Sequence, residues 1–146
     1  MKALEGITVL DLTRLLPGAV ATQYLADHGG EVIKIEQPGE GDYARTMNPL
    51  VFARTNAGKK SVVLDLKQAA GKQALLQLAA RADILIEGFR PGVMARLGLA
   101  YSDVSAENER LIYVSLSGYG QSGPYAGLAG HDINYIALGG LLLLLL

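Results

Sequence analysis

Five short β-branched runs, separated by helical or glycine-rich stretches, constrain this chain more than any other feature. Ile7–Asp11 (ITVLD), Glu31–Glu36 (EVIKIE), Ser61–Leu66 (SVVLDL), Asp83–Glu87 (DILIE) and Leu111–Leu116 (LIYVSL) read as strands. Between the first two, a loop over Leu12–Leu16 leads through Pro17 and Gly18 into an Ala- and Leu-rich helix, Ala19–His28, stopped by Gly29 and Gly30. Between the third and fourth, Lys67–Arg81 sets Ala70, Ala74, Leu75, Leu78 and Ala82 on one helical face. Strand, helix and strand at this spacing form βαβ units, with parallel strands and right-handed crossovers. The fold class is therefore α/β, a mainly parallel open sheet with flanking helices. Such sheets bind ligands beyond the carboxyl ends of their strands, where Asp11, Asp65-Leu66-Lys67, Gly88-Phe89-Arg90 and Ser117-Gly118 fall.

The segments between these elements are less regular. Gln37–Lys60 is polar, holds Arg45, Arg54, Lys59 and Lys60, and reads as a long surface excursion, either functional or a solvated connection. Pro91 suits the first turn of a short helix that runs to Leu97 and stops at Gly98. Ser102 or Asp103 caps another, through Glu109. A last helix is expected over Ile133–Leu146. Its apolar run from Ile136 is well short of the ~20 residues of a membrane span. Residues 1–140 form one domain on this reading. The six leucines of 141–146 are an anomalous end, read as truncated, frameshifted or unassignable.

Composition removes several function classes. A net charge of -1 gives no electrostatic footprint for nucleic acid. The absence of cysteine excludes disulfides and thiolate chemistry, and two distant histidines argue against a metal site. The first residues, MKALEGITVLDL, carry Glu5 and Asp11 within their apolar stretch and do not read as a signal peptide, so a cytoplasmic location is expected.

Among motifs, Gly118-Tyr119-Gly120-Gln121-Ser122-Gly123 matches G-x-G-x-x-G after a strand. Pro124, Gly127 and Gly130 keep the next stretch irregular, so no dinucleotide-binding helix opens there. Neither a phosphate-binding G-x-x-x-x-G-K-[ST] nor a G-x-S-x-G nucleophile elbow occurs. Lys67, Arg90 and Arg96 lie near strand ends and helix starts, where cations hold phosphate oxygens or simply snorkel over apolar neighbours. The stretch Gly130-His131-Asp132-Ile133-Asn134-Tyr135 sets a histidine beside an aspartate at a loop-to-helix junction. There the free N–H groups and the partial positive charge of a helix start favour a neutral, proton-accepting imidazole. The same two residues also suit a plain helix cap.

In order along the chain, Val9-Leu10-Asp11-Leu12, Val32-Ile33-Lys34-Ile35-Glu36, Leu64-Asp65-Leu66-Lys67, Glu87-Gly88-Phe89-Arg90-Pro91-Gly92 and Ser117–Pro124 resemble the family III CoA-transferases. That family includes carnitine and formyl-CoA transferases and the α-methylacyl-CoA racemases. The likeness runs from Leu4 to Gly140, and each piece is weak alone while the ordered series is specific. It implies the N-terminal part of a Rossmann-like large domain. Gly130–Tyr135 looks like the racemase branch, since transferases usually carry an aromatic residue where His131 stands. The resemblance implies that His131 is one of two proton-transferring residues. It places coenzyme A, as part of an acyl-CoA thioester substrate and not as a tightly bound cofactor, along Gln37, Leu64, Asp65, Leu66, Lys67, Gly88, Phe89, Arg90, Arg96, Gly130, His131, Asp132, Ile133, Asn134 and Tyr135. Gln37 stands where the family often has an arginine, and so brings no charge to the nucleotide end. Family members are more than twice this length and form interlocked homodimers, and the second catalytic acid of the racemases falls beyond residue 146. Epimerisation of 2-methylacyl-CoA through an enolate is the expected reaction. The alternatives are CoA transfer between carboxylic acids through an Asp nucleophile outside this chain, and a non-catalytic CoA-binding fragment.

Overall fold

The computed structural model describes residues 2–145. Its strands are β1 (Thr8–Leu12), β2 (Glu31–Glu36), β3 (Lys60–Val63), β4 (Ile84–Glu87) and β5 (Ile112–Ser115). They form one sheet in the order β3-β2-β1-β4-β5, with every neighbouring pair parallel. Chain order reverses direction between β1 and β4, which opens a crevice beyond their carboxyl ends.

Side-chain alternation decides what each face holds. Leu10 and Leu12 of β1, Ile35 of β2 and Leu85 of β4 turn to one side, where they pack with Leu75 and Ala79 of helix α4 (Ala69–Ala79), and with Met94, Leu99, Val104 and Leu111. Val9, Val32 and Ile86 form a smaller cluster on the other side with Leu25 and Ala26 of helix α1 (Leu15–Asp27). Asp11 follows Val9 by two residues and Lys34 follows Val32 by two. Both polar groups are thereby committed to this second face, beneath α1.

The excursion between β2 and β3 is not irregular. It folds into helix α2 (Ala44–Met47) and, capped by the Asn48 side chain at the N–H of Val51, helix α3 (Pro49–Thr55). Nor is it wholly solvated, because the Lys59 side chain is only 1% exposed. Helix α1 starts four residues before the expected Ala19, at Leu15, and Pro17 falls in its first turn, where no N–H donor is needed. At the other end, α4 starts two residues later than Lys67. The Asp65 carboxylate takes the Lys67 N–H and the Asp65 carbonyl takes the Gln68 N–H, which makes a turn before the helix.

Helix α5 (Val93–Leu97) ends on Gly98 as its sequence predicts. Helix α6 (Tyr101–Ser105) is shorter than expected, with Asp103 accepting the Ala100 N–H. The last helix, α7 (Asp132–Leu138), stops at Gly139-Gly140, and Leu141–Leu145 turn as a separate 3-10 helix. The two glycines outweigh the apolar run. Leu146 lies outside the described residues. No helix among the described residues is long and apolar enough to cross a membrane, and none of their His, Asp or Glu side chains cluster as a metal site.

Candidate functional site

The loop between β1 and α1 is held from below by a buried polar network. Asp11, 0% exposed, accepts both the N–H and the hydroxyl of Thr13 at 2.9 and 2.6 Å. Its second oxygen accepts the Thr22 hydroxyl at 2.6 Å and faces the Lys59 ammonium at 3.2 Å. The Lys34 ammonium donates to the Thr13 carbonyl at 3.0 Å and pairs with Asp42 at 2.9 Å. Asp42 in turn accepts the N–H of Leu15 at 3.0 Å and of Ala44 at 2.9 Å. Burial alone would raise the Asp42 carboxyl, but the Leu15 N–H, the Lys34 ammonium and the Ala44 N–H outweigh it and hold it below its ordinary value. Lys59 is pushed down, chiefly by burial and against the pull of Asp11.

This network fixes Thr13 and Leu15 at the main chain. Leu15 is the one described non-glycine residue with positive φ, at 60°. A leucine there costs ~1–2 kcal/mol, which the bonds from Asp42 and the neighbouring groups offset. Between these fixed points, Arg14 projects over the sheet. Its Nη1 donates to the Tyr43 hydroxyl at 3.0 Å, and its guanidinium carbon lies 5.3 Å from the ring centres of both Tyr43 and Phe89.

Arg14 stands at a seam between two cavities. The smaller, about 170 Å³, lies past the ends of β1, β2 and β3 and is walled by Leu12, Ile35, Gln37, Leu64, Asp65, Leu66, Lys67 and Phe89. The larger, about 350 Å³, lies at the crevice between β1 and β4. Thr13, Pro17, Gly18, Gly88, Ser117, Gly118, Asp132 and Tyr135 wall it, and Arg14 borders both. Gly118 has a steric reason here. A Cβ on it would stand 2.2 Å from the Tyr135 hydroxyl oxygen, so the glycine is what lets Tyr135 pack against this loop. That hydroxyl donates to the Gly130 carbonyl at 2.8 Å, which ties the loop to α7.

His131 is the residue before α7, and it is exposed. Its main-chain N–H donates to the Asn134 side chain at 2.9 Å, so the cap is made by Asn134 and the backbone. The imidazole makes no hydrogen bond among the described residues. His131 thus holds the N-cap position of α7 with Asp132 in the first turn, as the plain-cap reading expects, while its imidazole takes no part in the cap.

The expected ligand-binding residues divide into four groups. Gln37, Leu64, Asp65, Leu66, Lys67 and Phe89 meet in the smaller cavity, and Gly88, Asp132 and Tyr135 in the larger. Arg90 borders a separate hollow of about 470 Å³ with Glu87, Tyr101 and Tyr113. There the Tyr113 hydroxyl is pushed up by burial first, then by Glu87 and Asp103. Arg96, His131, Ile133 and Asn134 are exposed, Gly130 is half-buried, and none of the five walls either seam cavity. Sequence reasoning missed Arg14, Asp42 and the burial of Lys34 and Lys59. Lys34 gave a signal: a lysine between two isoleucines in mid-strand must find a carboxylate if its face is covered.

The profile of CoA-transferase family III matches residues 4–145. The chain is 46% identical over 140 residues to human alpha-methylacyl-CoA racemase, covering 96% of this chain and 35% of that protein. It is 43% identical over 145 residues to acetyl-CoA:oxalate CoA-transferase of Acetobacter aceti, covering 95% of this chain and 37% of that protein. A crystal structure of a hypothetical protein from Mycobacterium tuberculosis superposes with a TM-score of 0.91 at 44% identity, covering 97% of this chain and 41% of that one. The chain thus spans little more than a third of the length of these curated relatives. Parallel sheet, switch-point crevice, ordered motifs and matching relatives agree that this chain belongs to CoA-transferase family III.

Proposed function

We propose that this chain is the acyl-CoA-binding part of an enzyme resembling α-methylacyl-CoA racemase, with His131 as the base. One observation carries the reading. An exposed imidazole free of hydrogen bonds among the described residues stands at the start of α7, directly before Asp132, and Asp132 and Tyr135 wall the switch-point cavity. In this reading the nucleotide end of CoA lies beside Leu64–Lys67 and Phe89, and the pantetheine passes Arg14 into the larger cavity. The carbon next to a thioester carbonyl loses a proton reluctantly. His131 takes that proton, and the charge moves onto the carbonyl oxygen as an enolate. First-turn N–H groups of α7 that lack an intrahelical acceptor are available to that oxygen. Return of a proton to the opposite face completes epimerisation of a 2-methylacyl-CoA. The same reading makes the enzyme a cytoplasmic isomerase of lipid metabolism that works as a homodimer.

The test is α-proton exchange. The chain is incubated with 2-methylacyl-CoA in deuterated water and deuterium at the α-carbon is followed, beside a His131→Ala control. Incorporation by the wild type, lowered at least ~100-fold in the variant, is the expected result. Equal rates in both would remove His131 from the reaction. A second reading, CoA transfer between carboxylic acids, draws on the near-equal identity to a racemase and to transferases. Movement of CoA from an acyl-CoA to a labelled free acid, without α-exchange, would favour it.

A further inference from the structure

We propose that Arg14 is an anion-binding residue, holding a phosphate or carboxylate group of the ligand at the seam between the two cavities. It deepens the acyl-CoA reading and rests on that reading for the choice of anion.

Arg14 makes no ion pair with any carboxylate among the described residues, although it is half-buried. Its only protein hydrogen bond among those residues is the one to Tyr43, from Nη1. A guanidinium has five N–H donors in a planar fork, so most of the fork is free. Tyr43 and Phe89 flank the group, and a guanidinium already held beside two rings loses less entropy when its fork closes on an anion.

The loop beneath is held in place for the same effect. Asp42 bonds the N–H of Leu15 and Lys34 bonds the carbonyl of Thr13, one residue to each side of Arg14. A leucine kept at φ 60° directly after Arg14 is a local cost, borne by a loop that the Asp42 and Lys34 bonds hold in place.

The surrounding charges favour an anion on the smaller-cavity side. Lys67 is the other cation there. Of the two carboxylates, Glu36 is paired with Arg45, which leaves the single charge of Asp65 against the two cations. On the larger-cavity side Asp132 opposes an anion. A phosphate of CoA or the carboxylate of an acid substrate presents the oxygen pair that this fork matches.

The experiment is a set of calorimetric titrations of the chain, with wild type, Arg14→Gln and Arg14→Lys. The probes are CoA, inorganic pyrophosphate, succinate and uncharged pantetheine. Arg14→Gln should weaken an anionic probe roughly ten- to a hundredfold and leave pantetheine unchanged. Arg14→Lys should restore only part, because a lysine supplies charge without the fork. Losses confined to CoA and pyrophosphate identify the phosphate as the partner, and a loss confined to succinate identifies a carboxylate. Arg14-dependent pyrophosphate binding in a chain that does not bind CoA would uphold this inference while removing the acyl-CoA reading. Wild-type and Arg14→Gln chains that bind every anion equally would overturn it and leave that reading standing. A folded wild-type chain that binds none of the anions would overturn it as well.

Discussion

Glu36 shows how one side chain couples the sheet to the loop above it. The last residue of β2, it accepts Arg45 Nε and Nη2 at 2.8 and 2.6 Å, the Ser61 hydroxyl at 2.6 Å and the Asp42 N–H at 2.9 Å. Arg45 does most to hold its carboxyl at about 2, from an ordinary 4.5, against burial, with Ser61 and the Asp42 N–H assisting. A carboxyl depressed in the folded state stabilises the fold above the unfolded value, and that contribution is lost as pH falls through 4.5 toward 2. Glu36→Gln should therefore cost about 1–3 kcal/mol at pH 7, with Arg45 partly exposed and screened. The gap from wild type should close as pH falls below 4. Thermal melts at pH 7 and pH 3 measure both quantities, and a gap that stays constant with pH would contradict the ionic account.

At the scale of elements, the helix that closes the main core is α4. Leu75 is 0% exposed and meets Leu10, Leu85 and their neighbours. Leu75→Ala should cost about 2–5 kcal/mol, read by urea unfolding, and a loss under 1 kcal/mol would mean that this face collapses around the gap. Much of this level was legible in the sequence. Short β-branched runs located all five strands, and β2 matched its expected bounds. Gly98 and the helix before it were also found from local signals. The misses share a cause. Helices α2 and α3 are short and weakly periodic, and they are ordered by Glu36–Arg45 and by Lys59 reaching under α1, contacts far apart in sequence. Arg14 was invisible for a similar reason. Its role comes from Tyr43 and Phe89, which lie in two other loops. Residues of the two cavities that adjoin strand ends were legible because strand ends are the crevice. Arg90 and Arg96, chosen as cations near helix starts, lie outside these two cavities.

At the scale of the whole chain, both sheet edges are open among the described residues. The strand β3 is exposed at every position, and Ile112 and Val114 of β5 are exposed at the other edge. Leu138, Leu143 and Leu144 add apolar surface near the last helix. Unpaired edges beside exposed leucine favour association of chains. Sedimentation velocity from about 1 to 100 μM should show mass rising with concentration, and a single monomer boundary throughout would contradict this. The role given to the crevice between β1 and β4 is tested most directly by a crystal structure of the chain with a CoA thioether. The nucleotide is expected beside Leu64–Lys67 and Phe89, with the sulfur end beside Gly118 and Asp132. A ligand lying instead in the hollow beside Arg90 and Tyr101, with the seam at Arg14 empty, would contradict that role.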